Sequence, residues 1–508
     1  MESNGKLING QLGKIGYQLM ALAPLLGNWT SGGGALYRKL ADRIAELVRE
    51  GDLRPDDRLP PERTLADELA VSRSTTVAAY ALLQERGVVV RRQGSGTRIA
   101  PQGLVAPGAR LDAGSVNDLF RSMLSDDKDV IDLASATVSQ SRSVRTAFES
   151  LVGPELNAVL EATGYAPAGL SAMRRRLAEY YLGQDVPTES GQILVTNGAQ
   201  QAISLVASLL VNPGDAVVTE EATYAGALDV FRSAGARLYS ARSDDDGVIV
   251  ADLQQVVARV RPALIYLVPT YNNPTGTVLT ERRRQGVVDI ARRFHVPVID
   301  DMVVSRLSLD GRPTPPPLAH YAETGPVDRR TDLVITIDSL SKICWGGLRL
   351  GWVRASPGLA NRLARAKTIA DLGSSPVLQL VGARLLELID ETIAERAVEL
   401  QAGWERATAL LDRLLPDWEY RAPRGGQVLW IRIPRGSARG LAAIAMRHGV
   451  RIATGPALSP GETFDDYLRV PYTLTEPVLV EGICRLAAAW RSYDPEQHFD
   501  QASAAPLL

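Results

Sequence analysis

Apolar positions follow two regimes along this chain. In residues 36–50, LYRKLADRIAELVRE, Leu36, Leu40, Ile44, Leu47 and Val48 fall on one helical face, and Gly51 ends the helix. Arg58-Leu-Pro-Pro-Glu-Arg-Thr-Leu-Ala follows, with prolines at a helix start, where a missing N–H costs nothing; that helix runs to about Leu69. After an Ala70-Val71 turn, Ser72 is the expected N-cap of another helix reaching about Glu85. Val88 to Ile99 reads as a hairpin with Gly94, Ser95 and Gly96 at its tip. Two short helices joined by a turn, then a hairpin, predict a winged helix-turn-helix. From about Val130 to Tyr493 the regime changes. Short β-branched runs at Ile193–Thr196, Ala216–Thr219, Leu264–Val268, Val296–Ile299 and Leu333–Ile337 alternate with amphipathic helices. That alternation predicts an α/β fold, a mostly parallel sheet with helices on both faces.

The expected divisions are an N-terminal extension (1–35), a DNA-binding domain (36–100), a linker (101–128), a large domain (129–494) and a tail (495–508). The linker is rich in Pro, Gly and Ala and lacks periodicity. Residues 15–26 are fairly apolar and follow Lys6 and Lys14, as in a signal peptide, but Gly16, Gln18 and Pro24 interrupt them. A short amphipathic helix is the expectation there, and no apolar run approaches the ~18 residues that span a bilayer. With 508 residues, 45% hydrophobic and 22% charged, the chain has material for a large core. Net charge is −2, so any surface for nucleic acid must be local. Cys344 and Cys484 are the only cysteines, which excludes a disulfide scaffold and fits a reducing, cytoplasmic setting. No metal site and no membrane partner is expected. Of 56 basic residues only 6 are lysines, which makes each lysine worth inspecting.

Arg73, Ser74, Thr75 and Thr76 open the second helix of the helix-turn-helix, the end that enters a major groove. Arginine can grip guanine bidentately, and short hydroxyls bind phosphates or base edges. Arg63 opens toward the same surface, and Arg91, Arg92 and Arg98 flank the wing formed by Gly94, Ser95 and Gly96. Arg43, Arg49 and Arg86, taken singly, fit a solvated charged face. The ordered set predicts binding to double-stranded DNA.

The large domain carries a different chemistry. Ser339-Leu-Ser-Lys342 follows a predicted strand, and a lysine there can form a Schiff base with an aldehyde cofactor. Asp300 directly follows the expected strand Val296–Ile299, where a carboxylate can pair with a pyridine nitrogen. Asn273, in Tyr271-Asn-Asn-Pro-Thr-Gly, sits on a tight turn able to donate to a phenolic oxygen. Asn197-Gly-Ala-Gln-Gln joins a strand to a helix whose first N–H groups can hold a phosphate. Tyr224 is placed to stack on a ring, and Arg349, seven residues past Lys342, offers a fixed cation. Each feature alone has a plain structural reading as a turn, a cap or a core residue. Together, in this order, they predict a pyridoxal 5'-phosphate site.

The first 65 or so residues of this pattern resemble the GntR-type winged helix, through Leu59-Pro-Pro-Glu-Arg-Thr-Leu-Ala, Val71-Ser-Arg-Ser-Thr-Thr-Val and Gly94-Ser-Gly-Thr. About 360 residues of the large domain resemble fold-type I, aspartate aminotransferase-like enzymes, which implies a smaller C-terminal α+β subdomain. That resemblance implies Lys342 as the Schiff-base lysine, Asp300 at the pyridine nitrogen, Asn273 at the phenolic oxygen and Tyr224 on the ring face. It makes Ala199, Gln200, Ser339 and Arg349 phosphate ligands, Tyr165 the tyrosine reaching a neighbouring subunit's phosphate, and Arg469 the grip on an effector carboxylate. A homodimer with shared sites is implied. The combination resembles the MocR family of transcription regulators. The chain departs from aminotransferase relatives in one respect: the tyrosine two or three residues past the aspartate is replaced by Met302 and Val303. Asn273, absent from some MocR proteins, is present. The expected function is a cofactor-dependent regulator sensing the cofactor, an amino acid or amine effector, or both. The rivals are a working aminotransferase with an accessory DNA-binding domain and a cofactor-free scaffold.

Overall fold

The computed structural model describes residues 35–50, 52–53, 57–69, 71–92, 96–100, 129–324 and 333–494, with Leu22, Leu26 and Trp29. The expected linker and tail, most of the N-terminal extension, and Gly94 and Ser95 lie outside the described residues. Backbone contacts divide the chain into two compact units.

The first unit contains α1 (Leu36–Glu50), α2 (Glu62–Glu68), α3 (Arg73–Glu85) and an antiparallel pair, β1 (Val89–Arg92) and β2 (Gly96–Ile99). Most of the apolar stripe of α1 becomes core: Leu40, Ile44 and Leu47 are buried with Leu65, Tyr80, Leu83, Val89 and Ile99, Val48 is half-buried, and Leu36 at the helix start is 42% exposed. The Tyr80 hydroxyl donates to the Pro60 carbonyl at 2.8 Å, fixing the turn before α2 to α3. Ser72 caps α3, its Oγ accepting the Thr75 N–H at 3.2 Å.

The second unit is built on a seven-stranded sheet. Its strands are β4 (Ile193–Thr196), β5 (Ala216–Glu220), β6 (Arg237–Ala241), β7 (Leu264–Leu267), β8 (Val298–Asp301), β9 (Val334–Ser339) and β10 (Gly351–Arg354). Their order is β4-β10-β9-β8-β7-β5-β6, parallel except for β10. Right-handed crossovers then fix which face each helix covers. The connections β4–β5 and β5–β6 run one way across the sheet and put α4 (Ala199–Leu210) and α5 (Ala225–Ser233) on one face. The connections β6–β7, β7–β8 and β8–β9 run the other way and put α6 (Val250–Val260), α7 (Glu281–Phe294) and α8 (Leu318–Glu323) on the opposite face. The helix α9 (Pro357–Asp371) follows β10.

A five-stranded sheet forms the smaller part, with β11 (Glu419–Tyr420), β12 (Val428–Arg432), β13 (Val450–Thr454), β14 (Tyr467–Pro471) and an early strand, β3 (Ile131–Leu133), in the order β11-β12-β14-β13-β3. The chain thus starts its large unit in the C-terminal sheet, which the linear pattern did not separate.

The strand expected at Val296–Ile299 is displaced to Val298–Asp301. Pro297 has no N–H to give to a ladder, so the paired strand starts after it, and pairing with β9 extends through both aspartates.

Candidate functional site

The β8–β9 register decides which aspartate meets the site. Asp301 pairs with Ile337, and alternate residues of a strand share a side, so Asp301, Ile337 and Ser339 point to one face. That face carries the start of α4. Opposite Ser339 lies Gly351, where a Cβ would come within 2.7 Å of the Gly198 carbonyl carbon and 2.9 Å of the Ala199 nitrogen. Only glycine permits that approach, which seats the first turn of α4 against the sheet. Tyr266 confirms the side: its hydroxyl donates to Asp301 Oδ2 at 2.6 Å, and its ring packs edge-on against Phe231 of α5.

Asp300, the residue expected at the pyridine nitrogen, lies on the opposite face. Its Oδ2 accepts the Leu318 N–H at the start of α8 at 2.7 Å, the Arg284 cation of α7 acts on it, and its Oδ1 is buried without a partner. Neighbouring residues of a strand point to opposite faces, so the adjacent aspartates divide between the two sides of the sheet. Counting from Asp301, the positions two and three residues on are Val303 and Val304, so no tyrosine follows in either register.

Around α4 the other predicted groups gather. The Ala199 and Gln200 N–H groups belong to the first turn, where no intrahelical acceptor exists. The Gln200 side chain donates to the Gly226 carbonyl at 2.9 Å and accepts the Tyr224 hydroxyl at 3.0 Å. Burial and the nearby Asp301 charge raise Tyr224 to about 12, so its hydroxyl stays protonated. Arg349 is exposed and donates to the Asn197 carbonyl at 3.0 Å. Ser339 is buried; its Oγ donates to the Leu350 carbonyl at 2.8 Å and accepts the Ser341 N–H.

Lys342 is half-buried, and its Nζ donates to the Ala136 carbonyl at 2.7 Å. Burial, then the cations Arg469 and Arg349, lower its pKa to about 8. Arg469 is buried, and burial brings it down to about 10. One of its terminal nitrogens donates to Asn273 Oδ1 at 3.0 Å and the other to the Ala134 carbonyl. Its Nε is buried without a partner. Trp430 faces Arg469 across β12 and β14. Burial and the Asp338 charge raise Asp301 to about 6, opposed by the hydrogen bonds from Tyr266 and the Val303 N–H.

Tyr165 does not join this cluster within the chain; it is 68% exposed. On the other unit, Arg63, Arg73 and Ser74 are exposed, and among the described residues neither guanidinium has a partner. Ser74 and Thr75 lie within 2.8 Å of the Ser72 cap oxygen. Thr76, expected among the DNA contacts, is fully buried, its hydroxyl within 2.9 Å of the Glu62 and Arg73 carbonyls. It ties α3 to α2 rather than facing outward. Gly96 is exposed at the start of β2 with φ +81°.

Sequence reasoning did not single out Asp301, Tyr266 or the carbonyls of Ala134 and Ala136, which the structure brings to this cluster. The adjacent Asp-Asp pair was the available signal for Asp301. Nothing local marks the carbonyls, because β3 reaches the site only through the C-terminal sheet.

The chain matches the family described as Aminotransferase class I and II over residues 128–486, and that described as Bacterial regulatory proteins, gntR family over 36–99. It is 26% identical over 460 residues to the HTH-type transcriptional regulator YdfD of Bacillus subtilis, covering 86% of this chain and 92% of that one. It is 28% identical to the probable rhizopine catabolism regulatory protein MocR of Rhizobium meliloti, covering 75% and 78%. It is also 30% identical to a 2-aminoadipate transaminase of Thermus thermophilus, covering 65% and 81%. Among solved structures it is similar to LysN, an α-aminoadipate aminotransferase of Thermus thermophilus complexed with N-(5'-phosphopyridoxyl)-L-leucine. The TM-score is 0.65 at 26% identity, covering 75% of this chain and 96% of that one. Members of the aminotransferase class I and II family depend on pyridoxal 5'-phosphate. The chain belongs to that family and carries a GntR-family segment ahead of it, the two-part architecture of the MocR regulators.

Proposed function

We propose that this chain is a transcription regulator. In this reading its winged-helix unit binds double-stranded operator DNA, its large unit binds pyridoxal 5'-phosphate, and an amino acid or amine effector adjusts DNA affinity. The observation that carries the reading is the grouping of Lys342, Arg469, Tyr224 and Asp301 at the start of α4, in a chain that also presents Arg63 and Arg73 outward.

The residues fit the cofactor. A buried guanidinium N–H without a partner is costly, and Arg469 Nε is one, so a ligand carboxylate there would resolve an unmet donor. The first-turn N–H groups of α4 and the Arg349 cation would hold the phosphate, with Ser339 shaping the turn beside them. Asp301 would hold the pyridine nitrogen, Tyr224 would lie on the ring and Asn273 would reach the phenolic oxygen. The cofactor, once bound, supplies an aldehyde that captures amines and a ring that withdraws electrons. Lys342 sits near pKa 8, so a useful fraction of its amine is neutral and nucleophilic near neutrality. Exposed Tyr165 supports a homodimer in which each chain completes the other's phosphate site.

An effector that binds two arrangements of the protein unequally shifts their populations and so the DNA affinity. The test is to map the promoter bound by the full chain and to screen amino donors for turnover. Specific promoter binding with negligible turnover is expected. The second reading, a working aminotransferase, is favoured by the polar set around Lys342, from which the tyrosine after the aspartate is missing. Rapid turnover of one donor and keto acceptor, without specific promoter binding, would establish it instead.

A further inference from the structure

Lys367 is one of only six lysines in an arginine-rich chain, and it is fully buried. Its Nζ donates to Asp371 Oδ2 at 2.6 Å and to Gln201 Oε1 at 2.8 Å. The same Asp371 oxygen accepts from Asn197 Nδ2 at 2.7 Å and Gln201 Nε2 at 2.6 Å. Gln201 Oε1 also accepts the Asn197 N–H at 2.8 Å. Asn197 is thereby held at its amide nitrogen and its side chain, while its carbonyl accepts from Arg349.

Asp371 is the last residue of α9, where the negative end of the helix disfavours a carboxylate. Its place there is explained by the donors it collects, which together with the Gly373 N–H number four. All but Lys367 and Gly373 come from the turn between β4 and α4 or from the first turn of α4 itself. The ion pair therefore spends its strength on the shape of that turn.

We infer that Lys367 and Asp371 are positioning residues for the cofactor's phosphate: they fix Asn197, and through it the Arg349 cation and the first N–H groups of α4. Neither residue touches the phosphate. The inference rests on the proposed cofactor site and adds to it a buried brace that no sequence motif announced.

The test compares pyridoxal 5'-phosphate with phosphate-free pyridoxal, each titrated by absorbance into the full chain. Wild-type protein should prefer the phosphate form. Lys367 is buried and Asp371 partly so, and replacing both members of such a pair by apolar residues commonly leaves stability intact, so Lys367→Met with Asp371→Leu is the informative variant. It should keep its thermal transition, bind the phosphate form at least about tenfold more weakly, a loss of the size expected for charge-assisted contacts, and bind pyridoxal as before. Gln201→Ala keeps the ion pair and cuts the link to the Asn197 N–H, and should show a smaller loss confined to the phosphate form. The Gln201 variant alone decides the matter if the double variant does not fold. Unchanged affinity for the phosphate form, or equal weakening for both forms, would overturn the inference. A wild-type chain that binds neither form would overturn the cofactor reading itself, and this inference with it.

Discussion

Arg63 and Arg73 stand exposed and unpartnered among the described residues of the winged-helix unit, whereas Arg469 and Lys342 are held by protein carbonyls inside the large unit. The difference follows from the ligands. A DNA duplex is large and brings its own charge, so an accessible cation on a rigid helix suffices. A small cofactor must be held by several groups at once, and each needs fixed geometry in low dielectric. Surface contacts are therefore replaceable one at a time, while the buried set acts as a unit.

Breaking the buried set should have the largest effect. Lys342→Ala should abolish the hydride-reducible covalent link to pyridoxal 5'-phosphate. Peptide mapping after reduction checks this, and recovery of the cofactor on Lys367 would contradict the assignment.

The pH dependence sharpens the same point. The neutral amine captures the aldehyde, so the capture rate should rise about tenfold per pH unit and level off near the lowered pKa of about 8 rather than near 10.5. Arg469→Gln removes the larger of the two repelling cations and should move the plateau upward; stopped-flow absorbance reads both. In the cofactor-free protein the unfolded amine keeps its proton up to 10.5 and the folded amine releases it near 8. This group therefore makes stability rise between those values, and a pH series of unfolding curves checks the sign.

Asp301→Asn should weaken cofactor binding by about 1.5–3 kcal/mol, the scale of a hydrogen bond to a charged group. Asp300→Asn should leave it close to wild type and alter thermal stability instead. Equal titration curves for the two variants would erase the distinction between the faces of β8.

On the winged helix, Arg73→Ala should cost about 1–3 kcal/mol in operator binding and relax one base position if it reads guanine. A uniform loss with a shallower salt dependence would make it a phosphate contact. Thr76→Val should cost about 0.5–1.5 kcal/mol of stability, through its lost hydroxyl bond to α2, and leave base preference unchanged. Gel shifts paired with melting curves separate these outcomes.

The antiparallel pair β1–β2, the capped helix α3 and the strand–helix alternation were legible because each rests on local periodicity. Helix α1 spans Leu36–Glu50, the bounds its periodicity predicts, and Ser72 caps α3 as its hydroxyl suggests. The residues that the structure groups, Lys342, Asn273, Tyr224 and Arg469, each sit in a distinctive short stretch of sequence. The side of a strand was harder. Val296–Ile299 looked like a complete strand, and only the pairing that starts after Pro297 shows that Asp300 and Asp301 point to opposite faces. Thr76 failed for a related reason: the helix period puts it under α2, but its hydroxyl invited a surface role. The Lys367 brace depends on residues more than 160 positions apart meeting at one turn, which no local pattern carries.

The most direct test of the central claim is the affinity of the full, cofactor-loaded chain for its own mapped promoter fragment, at fixed salt, with and without an amino compound that changes the cofactor absorbance. Coupling between the two units predicts a shift of about 5–150-fold in wild-type protein and none in Lys342→Ala. An affinity indifferent to the compound, in a wild-type chain whose cofactor absorbance responds to it, would contradict the account.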